Sequence, residues 1–141
     1  MFGCKRTKIL LIGNNFKHFE KIADLIRNSI KHCEIIFISN DNNSDSFSDI
    51  CESNADAIFY FMSGKEYEDL TTINILKKVA NNLPVILVSE KLLRHNAMKE
   101  VFNGVENYLT LEDLTPTKFK KIFHSAINYY SIADYARHYI Y

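Results

Sequence analysis

The sequence predicts a doubly wound α/β domain, a five-stranded parallel sheet in the order 2-1-3-4-5 with helices on both faces and an extended C-terminal helix. Three observations carry this expectation. Short apolar runs recur along the chain, each followed by a longer segment of helical period. The runs are continuously apolar rather than alternating, which is the mark of strands covered on both faces. They begin 22 to 27 residues apart, room for a strand and a crossover helix. For such a series the order 2-1-3-4-5 is the common small solution.

The strands are expected at Lys8–Ile12 (KILLI), Glu34–Ile38 (EIIFI), Ala57–Met62 (AIFYFM), Pro84–Val88 (PVILV) and Glu106–Leu109 (ENYL). In the first intervening segment Phe16, Phe19, Ile22, Ala23, Ile26 and Ile30 recur at spacings of three and four after an Asn15 cap. The second helical segment, Ser46–Ser53, is short and has the weakest pattern. In the third, Leu70, Ile73, Leu76 and Ala80 share one face, with Glu66, Glu68 and Asp69 near the positive start of the helix dipole. The fourth, Leu92–Phe102, ends at Asn103-Gly104, a good C-cap. The fifth opens with Thr115 as N-cap and Pro116 at the first helical position.

A chain of 141 residues with 47% hydrophobic content is one domain's worth of protein. Residues 1–130 are expected to form the domain and 131–141 a C-terminal helical extension or linker. Lys+Arg and Asp+Glu both number 17, so the formal net charge is +0. That balance argues against a nucleic-acid or polybasic membrane binder, and equally against disorder. The three cysteines, Cys4, Cys33 and Cys51, form no even framework, so a reducing, cytoplasmic setting is expected. Apolar runs such as Ala57–Met62 and Leu83–Val88 have six residues, against the roughly 20 a membrane-spanning helix needs. Ile9–Ile12 is too short for a secretory apolar region.

In a doubly wound fold, chemistry sits beyond the carboxyl ends of the strands, at the switch point between the first and third. The residues delivered there are Gly13, Asn14 and Asn15; Phe61, Met62, Ser63 and Gly64; Ser89 and Glu90; and Thr110, Leu111 and Glu112. This is a nearly uncharged mouth with an aromatic ring at its centre. It contains neither a carboxylate cluster for Mg²⁺ nor a lysine placed to grip phosphate.

From about Lys5 to Tyr130 the chain resembles the receiver domain of two-component response regulators, a flavodoxin-like fold. The stretches that carry the likeness are KILLIGNN (Lys8–Asn15), ADAIFYFM (Ala55–Met62), PVILVS (Pro84–Ser89) and GVENYLTLEDL (Gly104–Leu114). Receivers of this family move a phosphoryl group from a histidine to an aspartate, using a Mg²⁺-binding acidic pair, a Ser/Thr and a Lys. Under the resemblance the acidic pair falls at Gly13 and Asn14, the phosphoacceptor at Phe61 and the lysine at Leu111. Only Ser89, in the Ser/Thr place, and Tyr108, in the place of the switch aromatic, keep the family's residue type. A register slip to Tyr60 or Met62 supplies no better acceptor. The resemblance therefore implies a pseudo-receiver: the fold kept, the phosphorylation pocket degenerate, no enzyme activity, no cofactor and no metal.

Each marker has a plainer counterpart. Phe61 is either an anchor that locks one conformation or a core aromatic capping the sheet, the commoner fate of phenylalanine. Ser89 doubles as the N-cap of the fourth helix, and Tyr108 as a satisfied core tyrosine. Glu90, Glu112 and Asp113 sit at helix starts, where acids are stabilised without a metal. His18, His32, His95, His124 and His138 show no ligand spacing and are expected at the surface or partly packed. Gly13-Asn14-Asn15 is not a phosphate loop, and His32-Cys33 lacks a third group to orient a nucleophile. Lys118, Lys120 and Lys121 are a solvated basic face.

The tail says most about partners. Phe119, Ile122, Ala126, Tyr129, Ala133, Ala136 and Ile140 follow heptad spacing, an outward a/d stripe, while Phe123, Ile127 and Tyr130 make a second stripe for the sheet. Five of the eight tyrosines crowd this end, and tyrosine is enriched at contact surfaces. The plainer counterpart is a helix ending near Tyr130 with a frayed tail.

The leading expectation is a non-catalytic signalling module acting by protein–protein contact or weak homodimerisation. The resemblance to receivers that precede kinase or cyclase modules implies an N-terminal regulator of a sensor kinase or diguanylate cyclase type protein, with no nucleic-acid partner and no membrane insertion expected. The alternative is a small-ligand sensor using the emptied apolar mouth near Phe61 and Leu111. A third reading, an unorthodox acceptor at Ser63 or Ser89, has least support.

Overall fold

The computed structural model describes residues 7–14, 16–30, 32–39, 54–79, 83–90 and 107–126. β1 (Thr7–Gly13) leads through α1 (Phe16–Ser29) to β2 (Cys33–Ser39). β3 (Ala57–Phe61) leads through α2 (Glu66–Val79) to β4 (Val85–Ser89). β5 (Asn107–Thr110) is followed by a 3-10 turn (Leu111–Asp113) and by α3, over residues 116–126. The strands form one parallel sheet in the order β2-β1-β3-β4-β5, the expected one. The helical segments expected at Ser46–Ser53 and Leu92–Phe102, their Asn103-Gly104 stop, the Asn15 cap and everything after Ala126 lie outside the described residues.

Period-two alternation splits the strands between two apolar layers. Ile9, Leu11, Phe59, Phe61, Ile86, Val88 and Leu109 share a core with Phe19, Ile22, Ala23 and Ile26 of α1 and with Phe119, Phe123 and Ala126 of α3. Leu10, Ile12, Ile58, Tyr60, Val85 and Leu87 pack with Ile73 and Leu76 of α2. β3 is buried along its whole length, which is why AIFYFM shows no alternation. Rings thicken the first layer: Phe59 stacks on Phe119 with centroids 5.9 Å apart, and Phe119 lies 5.5 Å from Phe123. α3 starts at Pro116, and its cap is the expected one, Lys118 N–H donating to Thr115 Oγ1 at 3.2 Å. Among the described residues no helix is long and apolar enough to cross a membrane.

The structure corrects two expectations and adds to a third. β2 is not covered on both faces. It is the terminal strand of the sheet, its residues are half-buried or exposed, and Phe37 is 41% exposed. Asp69 lies in the first turn of α2, as expected, and is also buried, at 1% exposure. Phe119, Ile122 and Ala126 do not form an outward stripe. Phe119 and Ala126 are fully buried in the first layer and Ile122 packs against it. A helix lying on a sheet buries an arc of about 100°, wide enough to take both heptad-spaced stripes at once. The remaining stripe residues, Tyr129, Ala133, Ala136 and Ile140, lie outside the described residues.

Candidate functional site

The carboxyl ends of β1 and β3 meet at a tight contact. Phe61 is the last residue of β3, paired with Val88, while β1 runs beside it to Gly13. A Cβ placed on Gly13 would meet the Phe61 Cβ at 2.7 Å, closer than real Cβ atoms approach. Gly13 is therefore what admits Phe61. The ring lies edge-on to Phe19, with centroids 4.7 Å apart and an interplanar angle of 68°, and Phe19 stacks on Phe37 at 5.1 Å. Three rings thus run from the strand-end centre to the β2 rim. Phe61 is 5% exposed, which agrees with the core-capping reading of this residue.

The other predicted residues divide between the two layers. Leu111 opens the 3-10 turn, is 8% exposed and belongs to the same apolar cluster as Phe61. Its carbonyl accepts a hydrogen bond from Lys21 Nζ at 3.2 Å. Ser89 and Tyr108 meet on adjacent strands, hydroxyl to hydroxyl, at 2.5 Å, with Ser89 buried and Tyr108 half-buried. Ser89 is thus engaged with the aromatic rather than standing open at the rim. The geometry brings Gly13 to Phe61 and Ser89 to Tyr108, while Asn14 is exposed beside Gly13.

Sequence reasoning missed three contributors. Lys21 brings an ammonium to the mouth from the side of α1, a position no strand-end count would find. His18 Nε2 and Glu90 Oε1 lie 2.5 Å apart, joining α1 to the residue after β4, and the Glu90 carbonyl accepts from Glu112 N at 3.1 Å. The rim is therefore more polar than the strand-end residues alone suggest. The third is Asp69. Its carboxylate accepts hydrogen bonds from Tyr60 Oη, Ser63 N, Ser63 Oγ and Gly64 N. Burial first, and then the neighbouring Asp69 carboxylate, push the Tyr60 phenol well above its ordinary range, so it remains a donor. The sequence signal was an acid placed one helical turn after a Ser-Gly turn.

At the ends of β1 and β3 neither strand's last residue supplies a carboxylate. Gly13 offers no side-chain oxygen, and Phe61 presents only carbon. Among the described residues no group of three or more His, Cys, Asp or Glu side chains is placed to hold a metal ion.

No family model matches the sequence, and no curated protein matches it. Solved structures do match the fold. The chain is similar to the signal receiver domain of a two-component histidine kinase from Clostridium thermocellum, with a TM-score of 0.67, 18% identity, and 86% of this chain and 97% of that one covered. It is also similar to the signal receiver domain of an HD domain-containing protein from Pseudomonas fluorescens Pf-5, with a TM-score of 0.72, 12% identity, and 90% and 98% covered. A third is the receiver domain of the sensor histidine kinase PA1611 from Pseudomonas aeruginosa PAO1, a structure with a magnesium ion coordinated in its active site cleft. Its TM-score is 0.66 at 14% identity, with 87% and 98% covered. At these identities the likeness shows the fold, which is receiver-like.

Proposed function

We propose that this receiver-like chain is a pseudo-receiver: a non-catalytic signalling module that works by protein contact, without phosphotransfer. The observation that carries the reading is the Gly13–Phe61 contact. The strand end that delivers the phosphoacceptor in the family it resembles here delivers a ring, packed against the glycine and against Phe19. Phe61 carries no nucleophilic oxygen, and a side chain on Gly13 would meet the Phe61 Cβ at 2.7 Å, so one of the two would have to shift. The Ser89–Tyr108 bond supports the same reading, since it ties the two residues of family type to each other.

A module of this kind transmits a state by association or by helix orientation, through a difference in its partner's affinity for two arrangements. We place it in the cytoplasm, as an N-terminal regulator of a sensor kinase or diguanylate cyclase type protein. The residues after Ala126 supply a weak self-association. The small-ligand reading has less support: Phe61 at 5% and Leu111 at 8% exposure fill the apolar mouth with the chain's own side chains.

The test is phosphotransfer. The full chain, incubated with acetyl phosphate and Mg²⁺ or with a phosphorylated histidine kinase, gains no phosphate by intact mass, and beryllofluoride with Mg²⁺ shifts no amide resonance. A stoichiometric phosphate localised to the strand-end rim overturns the proposal.

A further inference from the structure

Among the described residues Asp69 is the one charged side chain that is buried, and the pocket it fills is made of donors. Its Oδ1 accepts from Tyr60 Oη at 2.7 Å, Ser63 N at 2.8 Å and Ser63 Oγ at 3.0 Å; its Oδ2 accepts from Gly64 N at 3.1 Å. Ser63 Oγ in turn accepts from Lys65 N at 3.2 Å. Three successive backbone N–H groups are thus satisfied by one carboxylate, directly or through the hydroxyl it holds. Gly64 takes a φ of 89°, a left-handed conformation that glycine adopts freely, with open space where a Cβ would stand.

We propose that Asp69 is an internal latch: its carboxylate occupies an oxyanion cradle formed by the turn 63–65 and Tyr60, and holds that turn closed against the carboxyl edge of the sheet. The proposal is independent of whether the chain accepts a phosphoryl group. Both ends of the turn are anchored without the latch. Met62 N donates to Val88 O at 2.8 Å on one side, and Asp69 N donates to Lys65 O at 2.9 Å, starting α2, on the other. Between these anchors Ser63, Gly64 and Lys65 are all exposed. What seats them is an anion, and an anion has two good environments: a full set of donors, or water. A partly opened turn gives the carboxylate neither, because a buried charge short of donors is costly. The turn therefore has two favoured positions, closed with the carboxylate seated and open with it solvated, and the latch sets the shape of this part of the rim.

The test is amide hydrogen exchange, resolved by residue, on the full chain and on its Asp69→Ala variant. Each is measured with sodium formate and with sodium chloride at equal ionic strength. Exchange at Ser63, Gly64 and Lys65 is expected to quicken about 10- to 100-fold in the variant, the factor that hydrogen bonds to a charged acceptor carry. Ile58 and Phe59 in β3 should keep their rates. Formate, entering the vacated cradle, should slow the turn amides again, and chloride should not. Unchanged turn amides, a uniform quickening across the core, or no response to formate would each overturn the latch. If Asp69→Ala does not fold, Asp69→Asn answers the same question. Its amide keeps one acceptor oxygen but sets an N–H group against Gly64 N, so Gly64 should quicken more than Ser63. Equal behaviour of the two amides would overturn it.

Discussion

Phe61 occupies the space in which a side chain on Gly13 would begin. A methyl group at Gly13 would lie 2.7 Å from the Phe61 Cβ and 3.2 Å from Phe19 Cε1. The two residues are one unit: the glycine is required by the Cβ of Phe61, and the ring beyond it closes the strand end that the glycine leaves open.

Gly13→Ala is expected to cost about 1–3 kcal/mol, the usual range for overpacking a filled core. The penalty should persist in a Phe61→Ala background, which keeps the offending Cβ, and shrink in Phe61→Gly, which removes it. Urea unfolding midpoints of the single and double variants check this. Equal penalties in the two backgrounds would refute the contact.

Phe61→Asp is expected to destabilise by about 2–4 kcal/mol, combining the lost ring with a poorly solvated charge. It should not confer phosphorylation, because Asn14 and Leu111 still stand where the resemblance places an acidic metal ligand and the lysine. Thermal unfolding and intact mass after acetyl phosphate treatment measure both. An unchanged melting temperature would mean that the ring is not packed as described.

Tyr60 gives an alkaline signature. Its phenol holds its proton to higher pH in the folded state than its ordinary value near 10. The stabilisation linked to that proton is whole below about pH 10 and is lost as the pH rises above it. Above that pH the wild-type chain should lose stability more steeply than Tyr60→Phe, by up to about 1.4 kcal/mol per pH unit for one proton. Denaturant midpoints taken through the alkaline range give the comparison, and parallel curves would contradict it.

Self-association is expected to depend on the residues after Ala126, since Phe119 and Ala126 are spent inside the fold. Tyr129, Ala133, Ala136 and Ile140 keep the heptad spacing, with small residues that permit close approach but limit the apolar area. A weak dimer follows, about micromolar, or about −8 kcal/mol at the 1 M standard state. Light scattering after size exclusion on the full chain and on a version ending at Tyr130 should show a dimer only in the former. Two monomers at high concentration would remove the idea.

The strands were legible because a buried parallel strand is a run of apolar residues and nothing else; KILLI and AIFYFM differ from the observed β1 and β3 only at their ends. The Thr115-Pro116 start of α3 was legible for a local reason, a cap and a ring that act within one turn. Gly13, Phe61, Ser89 and Leu111 could be placed by counting to the ends of strands. The pairing of His18 with Glu90 and of Lys21 with Leu111 could not, because each spans elements far apart in sequence. The burial of Asp69 was not legible, for a related reason. An acid in the first turn of a helix has a complete local explanation, and its burial is decided by Tyr60 on a strand beneath it. The outward stripe on α3 failed because heptad spacing and the buried arc of a sheet-packed helix share their first few positions.

The sheet order also bears on how the molecule is assembled. β1 is the first strand made, yet it lies second in the sheet, with β2 on one side and β3 on the other. Residues 7–61 hold β1 and both of its neighbours. The β1–β3 pairing is the one step that skips a strand. Because closure entropy grows only as the logarithm of loop length, about 0.6 kcal/mol per doubling, that skip slows the search modestly. After it, β4 and β5 add to the same flank in the order of synthesis. Every strand after β2 thus pairs with a strand already made, so a chain emerging from the ribosome meets its hydrogen-bonding partners almost in sequence order.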